Sequence, residues 1–249
     1  MHTLRTKFKN EILTEFLPPK RKQKTNKVIL LCGGAPSSPG KKELLEFWSN
    51  KGYWVFLIRY RGSWESSGKF LALSPEQDVL DVIEEIPKGF AEAWDQQKFK
   101  FKPDQIIVMG GSFGGTAAIL SSLSSKVDKA IAVSPVIDWR KMGPEEPYPK
   151  MIRFFEEAFG QGYRFVSNGW DKLKSGKFYN PINDVNKIDP KKLIIFHAKD
   201  DKTCLYRLTH KFCSDSKVKL YTFTKGGHLG LDILMKPSNL NRVNKLLNS

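Results

Sequence analysis

The sequence predicts an α/β protein with a mainly parallel central β-sheet flanked by helices. From residue 27 onward, short β-branched runs alternate with helical patterns, and this alternation is typical of βαβ units with parallel strands. The runs are almost continuously apolar, as expected of strands that are covered on both faces. A chain of 249 residues is also long enough to form one domain around one core.

The elements follow one another in a regular order. The predicted strands are Val28–Cys32, Tyr53–Tyr60, Gln105–Met109, Lys129–Val133, Lys192–Phe196 and Val218–Phe223. The predicted helices are Lys41–Lys51, Pro75–Ile86, Phe113–Ser124, Tyr206–Cys213 and Asn239–Leu247. Pro75 behind Ser74 is typical of a helix start. The segments Leu4–Lys9 and Glu11–Leu17 are expected to add an antiparallel pair at one edge.

Composition and cysteine usage favour a cytoplasmic protein over membrane or secreted classes. Hydrophobic residues make up 40% of the chain, and no stretch approaches the ~20 apolar residues that cross a bilayer. Residues 1–10 carry basic side chains without an apolar run behind them, so we expect no secretory signal. Cys32, Cys204 and Cys213 form neither a CxxC pair nor an even-numbered framework, which fits a reducing compartment.

The chain is strongly basic. It has 41 basic and 26 acidic residues and a formal net charge of +15, which favours anionic partners. The basic residues are nevertheless spread along the sequence, and the dense cluster Lys20–Lys24 lies beside Pro18 and Pro19 in a predicted loop. Zinc-finger spacing and an aromatic RNA-binding motif are both lacking. We therefore favour a solvated basic surface over nucleic-acid binding, and the sequence does not indicate an oligomeric state.

One segment interrupts the alternation of strands and helices. More than fifty residues separate the strand ending near Ser134 from the next one at Lys192, which is too long for a simple connection. Residues 139–179 hold ten of the thirty aromatic residues of the chain. We expect a small, mostly helical cap at about 138–185 within a single domain, 1–249. Its rings could form the cap's own core or an apolar substrate pocket, for which the candidates are Phe154, Phe155, Phe159 and Trp170.

A glycine-rich turn marks the candidate nucleophile. The sequence GGSFGG follows a predicted strand directly and precedes a predicted helix, which is the context that a G-x-S-x-G motif requires. Gly110 and Gly114 allow strand and helix to approach each other closely, and the strained turn projects the hydroxyl of Ser112 above the sheet. The N–H of Phe113, at the start of the helix, is then a candidate donor to an oxyanion.

The acid and the base of a triad are expected later in the chain, in that order. The carboxylate pair Asp200 and Asp201 follows one strand, and His228 follows the next strand in a glycine-rich loop. Loops at the carboxyl ends of parallel strands carry function in such sheets. Ser112 as nucleophile, His228 as general base and one of the two aspartates as orienting acid therefore form the candidate site.

The chain resembles the α/β-hydrolase superfamily, and within it the catalytic domains of prolyl-oligopeptidase-like and dienelactone-hydrolase-like enzymes. The resemblance covers roughly residues 28–231 and rests on CGGAP, RYRGSWESSGKF, GGSFGG, HAKDDKTC and GGHLG. In that family the acid follows a histidine by four residues in H-G-x-x-D, which implies Asp201 in preference to Asp200. The loop after the first core strand would supply a second oxyanion donor, for which Gly34 is the first candidate and Ala35 the alternative, because Pro36 has no N–H.

The chain also departs from this family's patterns. Cys32-Gly33 stands where His-Gly usually begins the oxyanion loop, and His197-Ala198 replaces a common His-Gly. Residues 32–40 lack the tyrosine that peptidase relatives often carry near this loop, and the sequence has no β-propeller pattern. The first two departures are tolerable, because the oxyanion donor is a backbone N–H, whereas the last two absences weigh against the peptidase function specifically.

The resemblance and the candidate site together imply a serine hydrolase that needs no metal and no organic cofactor. We expect cleavage of carboxylic esters or related acyl compounds through an acyl-enzyme. The first alternative is a peptidase of the prolyl-oligopeptidase type that acts on short peptides. The second is a catalytically idle α/β-hydrolase fold that binds an anionic ligand. A small ester or a short peptide is the expected partner.

Overall fold

A central eight-stranded sheet organises the structure, a computed structural model that describes residues 2–21 and 23–248. Lys22, from the basic cluster Lys20–Lys24, lies outside the described residues. The strands are β1 (Leu4–Phe8), β2 (Ile12–Leu17), β3 (Lys27–Cys32), β4 (Trp54–Ile58), β5 (Phe90–Ala91), β6 (Lys98–Phe99), β7 (Gln105–Gly111), β8 (Lys129–Val133), β9 (Leu193–Ala198) and β10 (Lys219–Phe223). The helices are α1 (Lys42–Asn50), α2 (Pro75–Glu85), α3 (Phe113–Ser121), α4 (Tyr148–Phe154), α5 (Gly169–Lys174), α6 (Tyr206–Ser216) and α7 (Pro237–Leu247).

The large sheet has the order β1-β2-β4-β3-β7-β8-β9-β10. The strands from β4 to β10 in this order pair in parallel, whereas β1 pairs with β2 and β2 with β4 in antiparallel. The predicted fold class and the predicted antiparallel pair at one edge are both confirmed. The outermost strands β1 and β10 expose basic side chains, namely Arg5 and Lys7 on β1 and Lys219 on β10.

Side chains that alternate along the strands build a core on each face of the sheet. Ile29 and Leu31 of β3 face α1 and α7, and fully buried Trp48 of α1 packs in this layer. Val28 and Leu30 face the opposite side, where α2 and α3 cover the sheet. Because both faces are covered, the parallel strands are apolar at nearly every position, which is the pattern that predicted them.

Several boundaries differ from the prediction by a few residues, and one small hairpin was not predicted. Helix α3 ends at Ser121, three residues early, and α7 begins at Pro237, two residues early. The strands β5 and β6 form a separate antiparallel pair, and their rings Phe90 and Phe99 stack at 5.5 Å between centroids. Strands of two residues are too short to show a hydrophobic period.

The long connection between β8 and β9 is a series of short helical pieces. It contains α4, a π-turn at Phe155–Phe159, α5 and 3₁₀ turns at Gly160–Gly162 and Pro181–Lys187. Backbone hydrogen bonds join it to the loop after β4, since the amides of Arg164 and Val166 donate to the carbonyls of Gly62 and Phe70 at 2.7 and 2.9 Å. In the described part of the chain, every helix is too short or too polar to cross a membrane.

Candidate active site

The loops at the carboxyl ends of the parallel strands surround a cavity of about 660 Å³. Both Ser112, which follows β7, and His228, which follows β10, line this cavity. Gly34, from the loop after β3, lies on its wall, and Glu146 and Phe154 reach it from the connection between β8 and β9. The predicted nucleophile and the predicted base therefore face the same space.

Ser112 occupies a strained turn between β7 and α3. Its φ of 53° and ψ of −120° lie outside the regions that side chains favour. A Cβ at Gly110 would lie 1.8 Å from the carbonyl oxygen of Gly114, and one at Gly114 would lie 2.1 Å from that of Cys32. Both positions therefore require glycine, because any side chain would separate the strand from the helix.

The two candidate oxyanion donors lie on either side of the serine. Phe113 is the first residue of α3, and the first N–H groups of a helix have no acceptor within it. The Tyr179 hydroxyl donates to the Phe113 carbonyl at 2.6 Å, which fixes the first peptide of the helix. A Cβ at Gly34 would lie 3.5 Å from the Cβ of Ser112, so the Gly34 backbone passes directly beside the serine.

Asp201, not Asp200, contacts the candidate base. The Nδ1 of His228 lies 2.9 Å from Oδ2 of buried Asp201, and a carboxylate acceptor requires the proton on that nitrogen. The other oxygen, Oδ1, accepts the backbone N–H groups of Thr203 and Cys204, each at 2.9 Å. These bonds fix the position of the carboxylate.

Asp200 has a different partner in the structure. It is exposed, and its carboxylate accepts the amides of Gly226 and Gly227 at 3.2 and 2.9 Å. Asp200 therefore holds the loop that carries His228, although it does not contact the imidazole.

A second histidine, His197, also bonds to the acid, and sequence reasoning did not assign it a role. Its ring is fully buried, with Nε2 at 3.1 Å from Asp201 Oδ2 and at 2.9 Å from the Cys204 carbonyl. Two acceptors at Nε2 place the proton there, so Nδ1 accepts from the Thr209 hydroxyl at 2.9 Å. The sequence feature that could have indicated a role for His197 is its position four residues before Asp201.

These contacts set the protonation states at the centre of the site. Burial by itself would raise the pKa of Asp201, but the hydrogen bonds from His197 and His228 outweigh it and hold that pKa well below its usual range. Burial raises the pKa of the neighbouring Cys204 thiol, and the charge of Asp201 raises it further, while the Ser112 hydroxyl lowers it. Asp201 is therefore an anion and Cys204 a neutral thiol at neutral pH.

The four aromatic side chains predicted for the pocket divide into two groups. Phe154 is 51% exposed and lines the cavity with Ser112. Phe155, Phe159 and Trp170 are not among the lining residues of that cavity. They pack instead in an aromatic cluster of the connection, where the Phe155 ring lies 4.9 to 5.2 Å from those of Tyr163, Phe165 and Trp170.

Comparison with solved structures gives the same fold. The esterase PF2001 of Pyrococcus furiosus superposes with a TM-score of 0.69 at 19% identity, covering 99% of this chain and 90% of that one. The α/β hydrolase GrgF of Penicillium sp. sh18 gives a TM-score of 0.70 at 16% identity, covering 99% and 97%. The acylaminoacyl peptidase of Pyrococcus horikoshii gives 0.65 at 20% identity, but only 40% of that chain is covered.

Sequence comparison identifies the family. No curated protein matches the chain significantly. The model of the prolyl oligopeptidase family, in contrast, matches residues 41–247 and so spans most of the sequence, including the loops that carry Ser112, Asp201 and His228. The chain therefore belongs to the prolyl oligopeptidase family and is a serine hydrolase of the α/β-hydrolase fold.

Proposed function

We propose that this protein hydrolyses carboxylic esters or related acyl compounds, with Ser112, Asp201 and His228 as its catalytic triad. The observation that carries the proposal is the shared cavity of Ser112 and His228, together with the 2.9 Å bond from His228 to a buried, ionised Asp201. A buried carboxylate bonded to a histidine that lines the same cavity as a strained serine supplies the groups that activate a hydroxyl for acyl transfer.

The geometry suggests the following reaction. His228 takes the Ser112 proton through Nε2 as Oγ bonds to the acyl carbon, and Asp201 stabilises the imidazolium. The N–H groups of Phe113 and Gly34 would stabilise the oxyanion, at about 2.7–4 kcal/mol for each good donor. The imidazolium then protonates the leaving alcohol or thiol. Water, activated by His228, cleaves the acyl-enzyme and restores Ser112.

A peptidase that acts on short peptides is the second candidate. The acylaminoacyl peptidase neighbour favours it, although this chain covers only 40% of that chain and 90% of the esterase. The hydroxyl of Tyr60, near the loop after β3, donates to the Gly33 carbonyl at 3.2 Å, so it does not offer an additional oxyanion donor in this arrangement. We therefore favour the esterase function.

Two assays test these alternatives. A fluorophosphonate probe followed by mass spectrometry should label Ser112 and leave the Ser112→Ala variant unlabelled, whereas a binding protein with an idle site would show no labelling. A panel of p-nitrophenyl esters and aminoacyl-naphthylamides should then give higher kcat/KM for the esters. Faster cleavage of the naphthylamides would favour the peptidase instead.

We further propose that residues 138–185 act as a cap within a single domain, 1–249, and that the protein is cytoplasmic. The backbone bonds from Arg164 and Val166 to the loop after β4 support the cap, since they hold the connection beside the cavity. All three cysteines are free and buried, as suits a reducing compartment. The dispersed basic residues still favour a solvated surface over nucleic-acid binding.

A further inference from the structure

The cavity contains a carboxylate that the triad does not use. Glu146 lines it together with Ser112 and His228. Its turn is fixed, because the Glu146 amide donates to the Gly143 carbonyl at 3.2 Å and a Cβ at Gly143 would lie 2.0 Å from the Lys202 carbonyl oxygen. Glu146 is thus attached to the loop that carries the catalytic acid.

This carboxylate lacks a partner of its own. Among residues 2–21 and 23–248, no group donates a hydrogen bond to the Glu146 carboxylate or pairs with it within 4.0 Å. The nearby amino group of Lys150 donates to the Glu145 carbonyl at 2.8 Å. Glu146 is exposed, so its carboxylate can reach a ligand, and the surrounding protein still raises its pKa by partly displacing water, although the charge of Lys150 lowers it.

An aromatic ring stands beside the same carboxylate. Phe154 and Glu146, with Pro36, line both the Ser112 cavity and an adjoining cavity of about 430 Å³. The ring is 51% exposed although it is large and apolar. An exposed aromatic face next to an unpaired carboxylate is a combination that binds ammonium groups, through cation–π attraction and a charge-assisted hydrogen bond.

We propose that Glu146 and Phe154 form a subsite for a protonated amine of the substrate, so that the preferred substrates are esters or amides of amine-bearing acids, including short peptides with a free amino terminus. This inference rests on the proposed function and specifies its substrate class. The other charged residues of the Ser112 cavity are Lys41 in the loop after β3, Lys42 and Glu43 at the start of α1, and Asp232 in the turn after His228. None of them lines the adjoining cavity, whose charged residues are Glu145, Glu146 and Lys150, the last with its amino group bonded to the Glu145 carbonyl. The amine subsite therefore lies on the side of the connection between β8 and β9.

A pair of isosteric substrates tests the subsite. The p-nitrophenyl esters of leucine and of 2,4-dimethylpentanoic acid differ only in an ammonium group that a methyl group replaces. Their kcat/KM values are measured at about pH 7, where an α-amino group is mostly protonated, and hydrolysis by Ser112→Ala is subtracted. The wild-type protein should prefer the leucine ester. The ratio of the two values should fall roughly 10-fold in Glu146→Gln, as expected for the loss of one charged hydrogen bond.

Matched variants separate this role from others. Glu156→Gln is the control, because Glu156 is an exposed carboxylate of the same connection that lines neither cavity, and it should leave the ratio unchanged. Phe154→Leu keeps apolar bulk without the ring, and it should lower the ratio about 3-fold. A ratio that Glu146→Gln leaves unchanged, or that Glu156→Gln lowers equally, would overturn the subsite. If the wild-type protein showed no Ser112-dependent hydrolysis of either ester, the proposed function itself would be refuted.

Discussion

The loops after β3, β7 and β10 and the connection between β8 and β9 line one cavity, and the loop after β9 holds His228 through Asp201. Different interactions keep the loops and the connection in place. In the loops, hydrogen bonds hold the polar side chains, as the two backbone amides and two imidazoles that bond to the Asp201 carboxylate illustrate. In the connection, rings pack mainly on other rings, and neighbours such as Phe154 and Phe155 face opposite environments. The loops of the sheet therefore position the candidate catalytic side chains. Aromatic packing holds the connection that contributes Phe154 and Glu146 to the lining of the cavity.

The largest expected effect falls on the serine. Ser112→Ala should lower kcat by about 10⁶-fold, because it removes the nucleophile from a group of residues that act as a unit. Burst kinetics and steady-state ester hydrolysis measure the loss, and circular dichroism checks the fold. If Ser112→Ala hydrolysed the ester near the wild-type rate, Ser112 would not be the nucleophile and another residue would catalyse the reaction.

Substitutions of the two adjacent aspartates should have very different effects on kcat. Asp201→Asn should lower kcat by about 10⁴-fold, because an amide favours the wrong tautomer of His228. Asp200→Asn is the matched control: it retains an oxygen for the loop amides and should cost less than about 10-fold. Steady-state kinetics on one ester separates the two variants. A larger loss for Asp200→Asn would contradict the assignment of Asp201 as the acid.

Within the connection, substitutions of the neighbouring Phe154 and Phe155 should separate an effect on the substrate from an effect on stability. Phe155→Ala removes a ring that is 4% exposed, and it should lower the free energy of unfolding by about 3–5 kcal/mol. Phe154→Ala should change stability little and should instead flatten the rise of kcat/KM with acyl chain length, since its ring offers apolar surface worth about 25 cal/mol per Å². Urea unfolding and a p-nitrophenyl ester series give the two readouts. A flat series in the wild-type protein would refute an apolar acyl pocket.

The smallest expected effect concerns His197, which we regard as a positioning residue. His197→Phe removes a hydrogen bond to Asp201 and should lower kcat about 10-fold without raising KM. His197→Gln offers an amide N–H toward Asp201 and should restore most of that loss, which a purely structural role would not predict. If both variants lose activity and melting temperature in parallel, the ring acts through stability alone.

The sequence predicted the elements whose conformation is determined locally. Continuous apolar runs identified the parallel strands, and Gly110 and Gly114 indicated a turn that tolerates no side chain. The positions of Asp201 and His228 followed from strand ends and from family spacing, and their hydrogen bond in the structure supports that prediction without testing catalysis.

Other features depend on contacts between distant residues, and no local pattern could reveal them. The role of His197 depends on Thr209, on the far side of a loop, and on the direction in which the ring points. The aromatic content of the connection predicted a ring cluster but not which rings would face the cavity. Glu146 belongs to no motif, and its importance appears only once the fold brings its turn beside the loop of Asp201.

The basic side chains on the outermost strands have a consequence for association between copies of this protein. The edges of an open sheet carry N–H and C=O groups that can add strands from another molecule. On β1 the backbone of Arg5 is already bonded to Glu92 and Ala93, so that edge is partly covered. Arg5 and Lys7 on β1 and Lys219 on β10 would bring like charges together in any such pairing. Part of the net charge of +15 therefore acts against aggregation through the sheet edges, an effect that should weaken as added salt screens it.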